Sequence, residues 1–316
     1  MSEPEKSASA NWERDVLEKL ALSAVQEQRR SRHWSILFKT LGFLYLFIVL
    51  FLAAGWFRSD GVSIKAHTAL IDLQGVIAAD QTSADSVISS LQGAFEDKKT
   101  MGVILRINSP GGSPVQAGQI YDEIKRLRVL HPKTPLYAVV DDICASGGYY
   151  VAAGADKIFV DKASIVGSIG VLMDGFGFTQ TMEKLGVERR LLTAGENKGF
   201  LDPFSPVDPK HEAFARQMLE EIHAQFIAVV REGRGKRLKE TPEMFSGLVW
   251  SGEKSIELGL ADGLGNVESV ARDVIKAEEI VDYTRQDSLV ERLAGRLGAT
   301  MAKAWSPFDK TGVSLR

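Results

Sequence analysis

Seventeen consecutive residues without a charge, Leu41 to Phe57, constrain this chain more than any other feature. They are apolar on every side, and a helix of that kind must be buried all round or sit in lipid. Extended back to Ile36, with Lys39 snorkelling to the interface, the run reaches the ~20 residues a helix needs to cross the hydrocarbon core. Trp34 and Trp56 stand at its two ends, where interfacial aromatic anchors belong. Arg29, Arg30, Arg32 and Lys39 precede it, whereas Arg58 and Lys65 follow, so the positive-inside rule predicts a cytoplasmic N-terminus and an extracytoplasmic remainder. The run exceeds the ~7–15 apolar residues of an ordinary signal peptide and follows a long charged segment, which favours a retained signal anchor over a cleaved leader.

The chain divides accordingly into a cytoplasmic segment (1–35), the anchor (36–57), an extracytoplasmic domain (58–284) and an amphipathic tail (285–316). In the first segment, Trp12, Val16, Leu20 and Ala24 predict a solvated helix over Trp12–Arg32 that leads into the membrane. In the tail, Leu289, Val290, Leu293, Leu297 and Met301 predict a docking helix over Asp287–Trp305. A net charge of -3 gives no case for nucleic-acid binding. The single cysteine, Cys144, excludes an internal disulfide and any cysteine metal cluster, and reads as a small core residue.

Between positions 68 and 160 short apolar runs alternate with helical patterns. Strands are expected at Thr68–Leu73, Met101–Ile107, Leu136–Val140 and Lys157–Val160, with helices at Ser83–Phe95 and Val115–Leu130. Further strands are expected at Ile169–Met173 and Glu188–Thr193, a helix at Gln180–Leu185, and a long helix from Pro209 to Glu232. This order predicts an α/β layered domain, with ligands gathering where strand ends meet helix starts.

One such junction is Cys144-Ala-Ser146-Gly-Gly148, which presents a hydroxyl between small residues after a strand. It is not the G-x-S-x-G elbow, because Cys144 stands where that motif needs its first glycine. A serine nucleophile needs a base. None of the five histidines, His33, His67, His131, His211 and His223, lies in a glycine-rich turn, so nothing local supports a Ser-His-Asp triad. His211-Glu212 lacks the second histidine of a zinc site. A lysine serves as base once its amine is neutral, and desolvation lowers the reference value of about 10.4 by up to ~3–5 units. Lys198 lies in a loop with Gly195, Gly199, Phe200, Leu201 and Phe204, although on the residues alone a solvated lysine is the default reading. The turn Ser109-Pro-Gly-Gly-Ser113 offers the N–H of Gly112, and the helix start that of Gly147, as two donors for an oxyanion.

Asn108-Ser-Pro-Gly-Gly-Ser113, Ala145-Ser-Gly-Gly-Tyr-Tyr150, Val166-Gly-Ser-Ile-Gly-Val171 and the loop around Lys198, in that order behind an anchor, resemble the bacterial signal peptide peptidase A family of membrane-bound Ser-Lys proteases. The resemblance runs from about Ala69 to Val270. It implies Ser146 as nucleophile, Lys198 as general base, Ser168 as the group that orients the lysine amine, and Gly112 and Gly147 as the oxyanion hole. It also implies a crotonase/caseinolytic-protease-like domain of repeated ββα units and cleavage of remnant signal peptides and other membrane or unfolded segments outside the plasma membrane; on the residues themselves no cofactor or metal is expected. Longer family members carry two tandem copies with the lysine and serine in different copies. By the same resemblance this single copy would complete its dyad between neighbouring subunits of a homo-oligomer. The competing readings are a crotonase-like acyl-CoA enzyme, which gives Ser146 and Lys198 no role, and a non-catalytic membrane scaffold.

Overall fold

Ser83 and Ser113 mark where the chain turns from strand to helix, and each side chain accepts a hydrogen bond from the backbone N–H three residues on. Such caps satisfy otherwise orphaned N–H groups. They frame three successive β-α steps in a computed structural model, which describes residues 5–53 and 65–285. These residues fall into two units. One contains α1 (Glu5–Ala53), and the other spans Asp60–Gln286.

The polar helix and the apolar run as far as Ala53 form one uninterrupted α1 of 49 residues. Its stretch Gln28–Phe51 is exposed, has a mean hydropathy of 2.0 and is long and apolar enough to cross a membrane by length and composition. The Trp56 anchor and the tail helix over Asp287–Trp305 lie outside the described residues.

The second unit is mixed α/β. Its chain order is β1 (His67–Gln74), α2 (Ala84–Glu96), β2 (Thr100–Ser109), α3 (Pro114–Leu130), β3 (Leu136–Ala145) and α4 (Gly147–Ala152). Then come β4 (Lys157–Val160), β5 (Ile165–Gly167), α5 (Thr179–Lys184) and α6 (Pro209–Arg234). The end of the unit adds β6 (Val249–Ser251), α7 (Gly252–Glu257), β7 (Gly263–Leu264), the short α8 (Val267–Ser269) and β8 (Ile280–Asp282). The sheet runs β6-β5-β3-β2-β1-β8, and every pairing is parallel except β5 with β6. β3 forks it, since Tyr137–Val139 pair with β4 and Ile143–Ala145 pair with β5.

The strands are buried on both faces, as expected where parallel strands are covered from each side. Ile71, Leu105 and Val140 pack in a core with Leu91 of α2 and Ile120 of α3, while Leu70, Ile104 and Val139 pack with Val270 and Ile275 on the other face. At the carboxyl end that second face turns polar. Arg106 donates to both carboxylate oxygens of Asp72 at 2.7 and 2.6 Å, lies 3.9 Å from Asp141, and is followed by Asn108, which donates to Asp142 at 3.2 Å. These cross-strand pairs carry β3 past Val140, where hydropathy alone would end it.

Two expected strands are absent. Ile169–Met173 and Glu188–Thr193 have no strand partner, and Leu172, Leu191 and Leu192 are exposed. Their apolar content is therefore not sheet content. α6 is anchored instead by Arg234, which is buried at its last residue, pairs with Asp262 at 2.8 Å and donates to the Gly259 carbonyl at 2.8 Å.

Candidate active site

β3 ends at Ala145 and α4 begins at Gly147, so Ser146 must reverse the chain in one residue. It does so at φ 51°, a region that residues other than glycine enter at a cost. Its N–H donates to the Gly167 carbonyl at 2.8 Å, which fixes it against the end of β5. The residues around it are small or inert. Cys144 is fully buried, and burial pushes its thiol above the ordinary range. Tyr149 donates its hydroxyl to the Leu260 carbonyl at 2.8 Å.

The turn after β2 stands over the same place. A Cβ at Gly111 would lie 2.6 Å from the Gly147 nitrogen, and one at Gly112 would lie 2.2 Å from the Ile77 oxygen. Both residues also have positive φ, so glycine is required twice over. Ile77 donates its N–H to the Gly111 carbonyl at 2.9 Å and accepts from the Ser113 N–H at 2.8 Å. With the groups on either side of it turned to Ile77, the Gly112 N–H faces the opposite way, as alternation along an extended chain dictates. That way lies Gly147, whose Cβ position is 3.3 Å from the Gly112 nitrogen.

Gly112, Ser146, Gly147 and Ser168 line one pocket of about 520 Å³. Ser168 is also held at positive φ, 52°, and its N–H donates to the Leu248 carbonyl at 2.7 Å. Four of the five residues singled out from the sequence therefore converge. Lys198 does not join them: it is exposed and is not among the pocket's lining residues. No charged side chain and no histidine lines the pocket. The structure thus gathers Ser146, Gly112 and Gly147 in a pocket lined by no lysine, histidine or carboxylate.

Lys198 belongs to the connection between Ser168 and α6, which carries only the short α5. This arm has local order, since Phe178 stacks on Phe204 at 5.5 Å and Arg189 lies over the Phe204 ring. It also carries large exposed apolar side chains, Leu172, Phe176, Leu185 and Leu192.

The far wall of the pocket comes from α6. Ile222, Gln225 and Phe226 of α6 line it together with Tyr150, and Phe226 packs on the Tyr150 ring at 5.1 Å. His223 approaches the Ser168 turn, but its Nε2 donates to the Ile169 carbonyl at 3.2 Å. Helical spacing of Ile222, Gln225 and Phe226 marks one face of α6, yet nothing in the sequence says which strand ends that face covers. Among the described residues no group of three or more His, Cys, Asp or Glu is placed to hold a metal ion.

Comparison with known proteins adds an independent finding. Residues 128–281 match the description of peptidase family S49. A protein named as signal peptide peptidase SppA in Enterococcus faecium is 30% identical over 234 residues, 71% of this chain and 67% of that protein. One named as a protease in Methanocaldococcus jannaschii is 31% identical over 219 residues, 68% of this chain and 70% of that protein. A Brucella abortus protein named Na(+)/H(+) antiporter NhaA is 43% identical over 216 residues, 66% of this chain, but the chain covers only 29% of its length.

Proposed function

Because the chain belongs to the signal peptide peptidase A family, peptidase family S49, we propose that it is a serine endopeptidase whose nucleophile is Ser146 and whose base is Lys198 of a neighbouring copy. The observation that carries this reading is the pocket itself, which holds Ser146 with Gly112 and Gly147 and is lined by no lysine, histidine or carboxylate.

In this mechanism the Ser146 hydroxyl attacks the scissile carbonyl while its proton passes to a neutral Lys198 amine. The tetrahedral oxyanion is held by the N–H groups of Gly112 and Gly147, and Ser168 orients the lysine. The C–N bond then breaks, the leaving amine takes the proton from the lysine, and water hydrolyses the Ser146 ester. The apolar arm that carries Lys198 supports delivery in trans, because exposed apolar patches of this kind mark interaction surfaces. Its proposed occupant is a second copy of this chain.

The substrates assigned are remnant signal peptides and other apolar or unfolded segments, in keeping with walls built from Ile222, Phe226, Tyr150 and Leu172. Anchoring through Gln28–Phe51 with the protease unit outside the plasma membrane follows from the charge asymmetry around that helix. The family's ββα organisation, like that of the crotonases and caseinolytic proteases, belongs to this same reading.

The experiment is incubation of the full chain in detergent with a synthetic signal peptide, followed by mass spectrometry of the fragments and of Ser146. Internal cleavage with a transient acyl mass on Ser146, both lost in Ser146→Ala, is expected. Cleavage that persists in Ser146→Ala would overturn the assignment.

A further inference from the structure

The geometry points to Ser109 as a positioning residue for the oxyanion hole, an inference that rests on the serine-peptidase reading above. Ser109 is the last residue of β2, is wholly buried, and lies in register with Cys144, two residues before Ser146. Its hydroxyl donates to the Gly75 carbonyl at 2.6 Å and accepts from the Gly111 N–H at 3.1 Å. The hydroxyl proton and a lone pair are thereby both committed.

These two bonds set the direction of the turn. At one end Ser109 Oγ ties it to Gly75, and at the other Ile77 holds the Gly111 carbonyl and the Ser113 N–H. Between the clamps is Gly112. Because Ser109 Oγ takes the Gly111 N–H, that group is turned away from the pocket, and the Gly112 N–H is the one left to face Gly147. The Ser109 carbonyl also lies 3.0 Å from the Cβ position of Gly148, so the same residue packs against the start of α4. Removing the hydroxyl leaves the buried Gly111 N–H without its acceptor and releases the exposed Gly75 carbonyl, and the turn must rotate to pair the buried donor again. Such a rotation moves the Gly112 N–H off the oxyanion while the walls that bind the peptide stay in place.

The test compares full-length Ser109→Ala and Ser109→Cys with Ser90→Ala, a control that loses a hydroxyl of the same kind. Ser90 is buried in α2, donates to the Ser86 carbonyl and accepts from the Arg285 N–H. The readouts are kcat and KM on a fluorogenic peptide, the inhibition constant of a peptidyl aldehyde that forms a tetrahedral adduct on a serine, and the thermal midpoint. Ser109→Ala is expected to lower kcat and weaken the aldehyde by about tenfold or more, with KM within about threefold of wild type. Ser109→Cys, which keeps a weak donor and acceptor at nearly the same volume, should fall between it and wild type. Ser90→Ala should lose comparable thermal stability and keep kcat. Unchanged kcat in both Ser109 variants, or equal losses in Ser90→Ala, would overturn the positioning role. If the wild-type chain itself forms no adduct at Ser146, the peptidase reading fails first and this inference falls with it.

Discussion

The Ser146 N–H donates to the Gly167 carbonyl at 2.8 Å, and this one bond joins two adjacent positive-φ serines, since Gly167 leads directly into Ser168. The proposed nucleophile and the proposed orienting serine are thus set by the same pair of strand ends, β3 and β5. Strain at two such positions is retained only where the surrounding structure enforces it.

That strain makes a stability prediction. Ser146→Gly should raise the thermal midpoint relative to Ser146→Ala, because relief of about 1–3 kcal/mol of backbone strain exceeds the roughly 0.5–1 kcal/mol entropic cost of a glycine. Both variants should form no acyl-enzyme. Calorimetry of the two variants side by side checks the order.

Gly112→Ala places a methyl 2.2 Å from the Ile77 oxygen, so the turn has to leave that position. A loss of about 100-fold or more in kcat is expected, the size seen when one oxyanion donor is removed. Steady-state kinetics on the signal-peptide substrate measures it.

Arg234 is buried and depends on Asp262, so Asp262→Ala should cost about 3–5 kcal/mol by leaving that guanidinium uncompensated. Burial pushes the Asp262 carboxyl up, but its hydrogen bond and charge pairing with Arg234 outweigh this and hold it below the ordinary value of 3.8. Asp97 is likewise held down, chiefly by the Tyr283 hydroxyl. A depressed folded-state value means that the stabilisation is present above about pH 4 and is lost as pH falls through the folded value. Denaturant midpoints of wild type should therefore fall steeply below pH 4, and those of Asp262→Ala less so.

The arm prediction concerns assembly. Leu192 is 96% exposed, and Leu192→Asp should leave the unfolding midpoint of the isolated chain unchanged while reducing the assembled mass. Light scattering in detergent reads the difference.

Much of this arrangement is legible in the sequence, and the parts that are not have physical reasons. Strands β1 to β4 and the helices between them follow from apolar runs punctuated by serine caps and glycine turns. β3 continues to Ala145 because Arg106 and Asn108 pair with Asp141 and Asp142, the charges at which its apolar run stops. Leu191-Leu192 carries a strand-like composition but finds no partner strand, and composition cannot report a missing neighbour. The two- and three-residue strands β6, β7 and β8 are too short to show any period. The glycine turns and Ser146 were recognisable by motif, whereas the α6 wall and the Ser109 clamp depend on contacts between segments far apart in the chain.

Subunit complementation tests the central claim most directly. Full-length Ser146→Ala and Lys198→Ala should each be inactive, yet co-assembled in equal amounts they should regain up to about a quarter of wild-type cleavage, the share of interfaces that pair an intact serine with an intact lysine in random head-to-tail assembly. A co-assembled mixture as inactive as its parents would contradict a base supplied by the neighbouring copy.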